Sequence, residues 1–393
     1  MEPIYFDNAA TSWPKPAAVR AALDHYFGAA GGNPGRSGHR MSIAAAQIVE
    51  DAREALAELF NVRDPSRIVF TKNATEALNL GINGLLQPGD HAITTGIEHN
   101  SVMRPLRYLE SRGTDVTVVA CSPDGTLDPA GVAAAFTPNT KLLVTLHGSN
   151  VVGSLLPITE LAALARQNGV PYLIDASQSA GAVPIDVEES GMDMLAFPGH
   201  KGLLGPTGTG ALYIGADLDI SPIMRGGTGS RSDLEYQPDF MPDMFESGTL
   251  NVAGLAGLAA GVRDLLDVGV EEVQAHENVL VTRFLDGAAS IPGLTVHSPK
   301  DPALRCGVLS FNVDGLPPSD VGLILDQDYG ILGRAGLHCA PGAHRTIGTF
   351  PVGSMRFGFS HSNTTAEVDT ALGALQALAS WAGSRRPVER DHV

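Results

Sequence analysis

Between Arg67 and Ile214 short apolar runs alternate with stretches of helical periodicity. The runs read RIVF, HAITTG, VTVVAC, KLLVTLHG, YLIDAS, MLAF and GALYIG, and helices are expected at about 75–86, 101–112 and 157–168. Apolar runs of this length suit strands buried on both faces, and strands separated by helices join in parallel because each crossover returns the chain to the same edge. The prediction is a mainly parallel sheet with helices on both sides. Sheets of this kind take ligands beyond the carboxyl ends of their strands. The polar residues that follow the strands are therefore the ones to read: His99 and Asn100, His147 to Asn150, Asp175 to Gln178, and Gly199 to Lys201.

The pattern changes after Ile214. From Arg225 to Leu250 the chain is rich in Gly, Asp and Met and lacks periodicity, which predicts long functional loops. Long helices at about 252–267 and 271–290 come next, then GLTVHS, GVLSFNV, a helix near 318–327, a strand near 331, SMRFGFS, and a last helix from about 365. These read as a smaller α+β unit. The expected division is 1–255, with its N-terminal segment packing on the small domain, and 256–393, carrying a cysteine loop. The polar tail GSRRPVERDHV is expected to fray.

At 393 residues the chain exceeds one ordinary domain, and 44% hydrophobic against 18% charged residues is the balance of a close-packed α/β protein. Its net charge is −17, with the basic residues scattered, so nucleic acid and anionic membranes are poor partners. No basic leader with an apolar core opens the chain, and no apolar stretch is long enough to span a bilayer, so a cytoplasmic location is expected. Three cysteines without CxxC or Cys/His ligand spacing argue against disulfides and against a metal site.

Lys201 lies in FPGHKGLLGPTGTG, flanked by glycines after an expected strand. A lysine crowded by backbone loses pKa readily, as imine formation with a carbonyl requires. Asp175, ending PYLID, can pair with a pyridinium nitrogen, and Gln178 can donate to a ring hydroxylate. Thr71 to Thr75 lead into a helix whose free amides suit phosphate, and His99 stands where an imidazole can stack on a flat ring. Each has an ordinary structural alternative: a surface lysine, a turn-forming Asp, a cap by Asn73 or Thr75, a structural His. In ILGRAGLHCAPGAHR, 331–345, Cys339 sits in a loop with two histidines and two arginines, and cationic neighbours favour the thiolate. Cys121 and Cys306 adjoin β-rich runs and read as core thiols.

Taken in order, DNAAT, NATEALN, IEHNS, HGSNVVG, DASQ, GHKGLLGPTGTG, FESGTLN and RAGLHCAP resemble the class V aminotransferase group of fold-type I pyridoxal-phosphate enzymes. Within it the chain is most similar to the SufS-like branch of cysteine desulfurases and selenocysteine lyases. The resemblance covers nearly the whole length. It implies an α/β fold, with a large domain built on a mainly parallel seven-stranded sheet and a small α+β C-terminal domain. It implies pyridoxal 5′-phosphate held as an imine on Lys201, with Asp175 at the ring nitrogen, Gln178 at the ring oxygen, and His99 stacked on the ring and shuttling protons. Ala74, Thr75 and His200 would hold the phosphate. Thr249 would reach the phosphate of a neighbouring subunit, hence a homodimer. Asn150, Arg334 and Arg356 would surround the substrate, Arg356 clamping its carboxylate.

The implied reaction takes L-cysteine to L-alanine and leaves a persulfide on Cys339 for a sulfur-acceptor protein. Two positions depart from the pattern. Pro198 stands where a hydroxyl residue is common, which removes one phosphate hydrogen bond, and Leu337 replaces a frequent histidine. Selenocysteine lyase or cysteine sulfinate desulfinase activity would use the same frame without obligatory attack by Cys339. An epimerase or transaminase would make Cys339 incidental, and a degenerate binding module would need no cofactor.

Overall fold

The computed structural model describes residues 3–35 and 38–384; of the polar tail, residues 385–393 lie outside the described residues. The seven runs form one seven-stranded sheet, in the order Ile68–Thr71, Gly210–Ile214, Met194–Pro198, Tyr172–Asp175, Thr140–Leu146, His91–Thr95, Asp115–Val119. Every neighbouring pair runs parallel except those of Gly210–Ile214, which is antiparallel to both its neighbours. Leu143, Ile174 and Leu195 point into one buried cluster, and Val144, Leu173 and Met194 into another. That alternation into two apolar layers is why these strands carry no polar face. Leu146, Asp175 and Ala196 are in register, so the strand ends that carry the chemistry are level.

Two helices that the sequence reading did not separate out, Ala17–His25 and Arg40–Leu59, pack on the helix Val252–Val268. Buried Arg53 on the second of them donates through both terminal nitrogens to Glu246 at 3.0 Å, and Glu246 accepts from the Phe70 amide at 2.7 Å. A buried charge pair needs this many partners to offset its desolvation. The result is that the irregular segment 225–250 is pinned to the sheet edge.

A second core begins at Leu280 and gathers Phe284, Phe311 and Phe357 around a four-stranded sheet in the order Arg334–Gly336, Ser354–Gly358, Val308–Val313, Leu294–His297. The N-terminal strand Ile4–Tyr5 runs parallel to Ile331–Leu332, and Phe6 is part of this core. Between the two cores, Ser310 Oγ donates to the Val151 carbonyl at 2.6 Å and the Cys306 amide to the Gly153 carbonyl at 2.8 Å. Gly153 has φ 73°, and a side chain there would run into the Val308 carbonyl, so only glycine permits this approach. Besides the strand expected near 331, found at Ile331–Leu332, the segment read as the cysteine loop holds the strand Arg334–Gly336 and runs into the helix Pro341–Thr346. Elements of three and six residues are too short for periodicity to reveal.

Candidate active site

A cavity of about 100 Å³ lies beyond the strand ends, and Ala74, Thr75, His99, Asn150, Asp175, Gln178, Pro198, His200 and Lys201 all line it. The fold thus brings eight of the sequence-selected residues to one place, with Pro198. Asp175 is buried at the end of its strand and accepts from the Ser177 amide at 2.9 Å. Lys201 keeps some surface through the cavity it lines, while the surrounding protein desolvates its amine and lowers its pKa to about 8, with Asp175 opposing that shift. Gln178 is held by a 3.0 Å bond from Nε2 to the Ala9 carbonyl.

Asn73 caps the helix Ala74–Leu85, accepting from the Glu76 amide at 2.9 Å, so its first turn opens on the cavity with Ala74 and Thr75 in front. His99 caps the helix Asn100–Glu110: its Nδ1 accepts from the Ser101 amide at 3.1 Å. That leaves the hydrogen of the neutral ring on Nε2, and burial lowers the His99 pKa further toward this neutral state. Ser101, a residue of the quoted IEHNS to which the sequence reading gave no role, lines the cavity and links Thr75 Oγ1 at 2.8 Å to His99 Nδ1 at 2.9 Å. Directly before His99, buried Glu98 accepts from Thr95 Oγ1 and the Leu146 amide, and burial pushes its pKa up to about 8.

Arg356, on the strand Ser354–Gly358, is buried and half-committed. Nη1 donates to the Asn150 carbonyl and Nη2 to Asp7, both at 3.0 Å, while Nε has no partner. Arg334 is about half exposed and donates through Nε and Nη2 to the same Asp7 carboxylate, the shortest contact 2.8 Å. Asp7 is a further residue that the sequence reading missed: its single carboxylate pairs with both arginines and leaves them one net positive charge. Only its place inside the quoted DNAAT marked it.

Cys339 is exposed, outside the cavity lining but tied to it. The Asn100 amide donates to its carbonyl at 2.8 Å, and Asn150 Nδ2 donates to the His338 carbonyl at 2.6 Å. The two histidines nearby are not the cations that the sequence suggested. Burial lowers His338 to about 3 and His344 to about 4, so both are neutral, and the positive charge acting on the thiol is that of Arg334 and Arg356. Thr249 lies away from this cavity, in a groove of about 710 Å³ with Asn33, Arg53 and Glu246.

The cavity fits pyridoxal 5′-phosphate on its own chemistry. An amine with lowered pKa and a buried carboxylate share it, a helix N-terminus with a hydroxyl faces it, and two buried polar atoms on its wall, Asn150 Oδ1 and His200 Nδ1, lack partners. Among the described residues no group of His, Cys, Asp and Glu could hold a metal ion, and no helix is long and apolar enough to cross a membrane.

The model of the aminotransferase class-V family matches residues 4–371. A probable cysteine desulfurase of Methanothermobacter thermautotrophicus is 36% identical over 383 residues, 96% of this chain and 94% of its own length. A cysteine desulfurase of Haloferax volcanii is 34% identical, over 95% of this chain and 89% of its own. Among solved structures, the apo cysteine desulfurase of Thermococcus onnurineus superposes with a TM-score of 0.91 at 35% identity, covering 96% of this chain and 95% of that one. The cysteine desulfurase CsdA of Escherichia coli gives 0.86 at 30% identity with the same coverage.

Proposed function

The chain belongs to the aminotransferase class-V family, and from that footing we propose that it is a pyridoxal-phosphate-dependent cysteine desulfurase that converts L-cysteine to L-alanine. The single observation that carries the reading is that Lys201 and Asp175 line one cavity whose wall residue Asn150 also holds the turn of Cys339. Similarity to desulfurases over nearly the whole length supports it.

Asp175 would pair with the ring nitrogen, Gln178 with the ring oxygen, and Ala74, Thr75 and His200 with the phosphate. When bound, the cofactor supplies a sink for the electron pair released as a proton leaves Cα. Arg356 receives the substrate carboxylate: its partnerless Nε–H is free to donate, and the incoming carboxylate competes with Asp7 for Nη2. Lys201, with a pKa near 8, has about one amine in ten unprotonated at pH 7 and can take up the Cα proton. His99 Nε2 is the second group able to carry a proton at the cavity.

Cys339 Sγ, under the field of Arg334 and Arg356, attacks the substrate sulfur. An S–S bond forms as the C–S bond breaks, Cβ takes the bonding pair and a proton, and alanine leaves with the persulfide on Cys339. An exposed persulfide calls for a thiol acceptor, a protein or a small reductant. The test is alanine and sulfide release from L-cysteine with and without dithiothreitol. Wild type should need the reductant for sustained turnover, and Cys339→Ser should lose alanine formation by at least about 100-fold. Cys339→Ser forming alanine at the wild-type rate would remove the thiol from the mechanism.

A further inference from the structure

His338 and Cys339 both occupy the left-handed backbone region, with φ of 50° and 56°. There a side chain crowds the next carbonyl, and glycine is the usual occupant. Two such residues in succession relax unless neighbours hold them. Three backbone holds are present: Asn150 Nδ2 on the His338 carbonyl at 2.6 Å, the Asn100 amide on the Cys339 carbonyl at 2.8 Å, and the Ala340 amide on the Leu337 carbonyl at 2.9 Å.

A fourth hold runs through side chains, and its hydrogen positions follow by elimination. The Arg334 carbonyl can only accept, so His338 Nε2, 3.1 Å away, carries the hydrogen. A neutral imidazole has a single N–H, so His338 Nδ1 accepts, and His344 Nε2 at 3.2 Å donates to it. His344 Nδ1 is then a lone pair and accepts from the Thr349 hydroxyl at 2.7 Å. His344 is fully buried, its ring nitrogens both engaged, and the chain Thr349 to His344 to His338 to the Arg334 carbonyl has one direction only. The mechanism above uses neither His344 nor Thr349.

We propose that His344 and Thr349 are positioning residues which, through His338, hold the strained turn of Cys339 against Asn150 of the cavity wall. They set the rate of the thiol's attack and leave substrate binding alone. The effect on turnover rests on the desulfurase reading, whereas the effect on the turn does not.

The test compares Thr349→Val, which keeps the shape and removes the hydroxyl, with Thr349→Ser, which keeps the hydroxyl. In Thr349→Val, amide hydrogen exchange over residues 337–340 of the full chain should speed up about ten-fold while global unfolding stays put. In the cofactor-loaded enzyme its kcat for alanine should fall about ten-fold with KM unchanged, the loss of one hydrogen bond's hold on the attacking group. Thr349→Ser should restore both within about two-fold. Long-range ¹⁵N–¹H spectra of histidine-labelled protein should show residues 338 and 344 as Nε2–H tautomers.

Unchanged exchange in Thr349→Val would overturn the proposal, as would Thr349→Ser failing equally, or an Nδ1–H tautomer at either histidine. If cysteine is not the substrate, the exchange and tautomer results still decide the strut, so the two failures are told apart.

Discussion

In the proposed reading, Arg356 is where the substrate carboxylate and the resting protein compete for the same donors. Its fork is held on one side by the Asn150 carbonyl and on the other by Asp7, with Nε unclaimed. A lysine in its place keeps the charge but loses the planar pair of donors. Arg356→Lys should therefore lower kcat/KM for L-cysteine by about 10- to 100-fold, mostly through KM, as steady-state kinetics would show. A change confined to kcat would mean that the carboxylate is held elsewhere. At this scale the site was legible where residue type and strand-end position coincide, as at Lys201 and Asp175. It was illegible where a role depends on a partner far along the chain: nothing near Arg334 in sequence announces that Asp7 will claim it, 327 residues away.

The helix Val270–Ala288 buries Glu277 against Gly307, just ahead of the strand Val308–Val313, and burial pushes that carboxyl up to about 8 from an ordinary 4.5. The folded state therefore binds its proton more tightly than the unfolded chain does. The stability this contributes is full below pH 4.5 and is lost as pH rises toward 8. Glu277→Gln stays neutral throughout, so the wild-type protein should lose stability relative to it by up to about 1.4 kcal/mol per pH unit across that window. Denaturant unfolding at pH 5, 6.5 and 8 measures the difference, and parallel curves would show Glu277 ionised in the fold. Long elements such as this helix were readable because an apolar stripe repeats over several turns. The strand Arg334–Gly336 and the helix Pro341–Thr346 were not, being held by pairing with Ser354–Gly358 and by the cysteine turn instead of by their own pattern.

For the whole molecule, Thr249 and the cavity of the same chain lie apart, while the irregular segment around it exposes Ile223, Leu234 and Tyr236. We propose a homodimer in which Thr249 completes the phosphate site of the partner. Light scattering should give twice 41.0 kDa. Inactive Lys201→Ala and cofactor-weak Thr249→Ala subunits, unfolded together and refolded, should regain about a quarter of wild-type activity, because half of the assemblies formed at random are hybrids and each hybrid has one intact site. No recovery on mixing would place Thr249 outside any shared site.

The seven apolar runs, the residues that end them and the order of the glycine-rich segments were determined by the sequence alone, because strand burial and strand-end polarity are local properties that a linear pattern records. Tertiary structure alone decided that Asp7 pairs with two arginines at once, that the histidines beside Cys339 are neutral links in a hydrogen-bonded chain, and that Asn150 ties that chain to the cavity. Charge state and backbone strain depend on what the fold packs around a group, and those neighbours come from segments hundreds of residues apart.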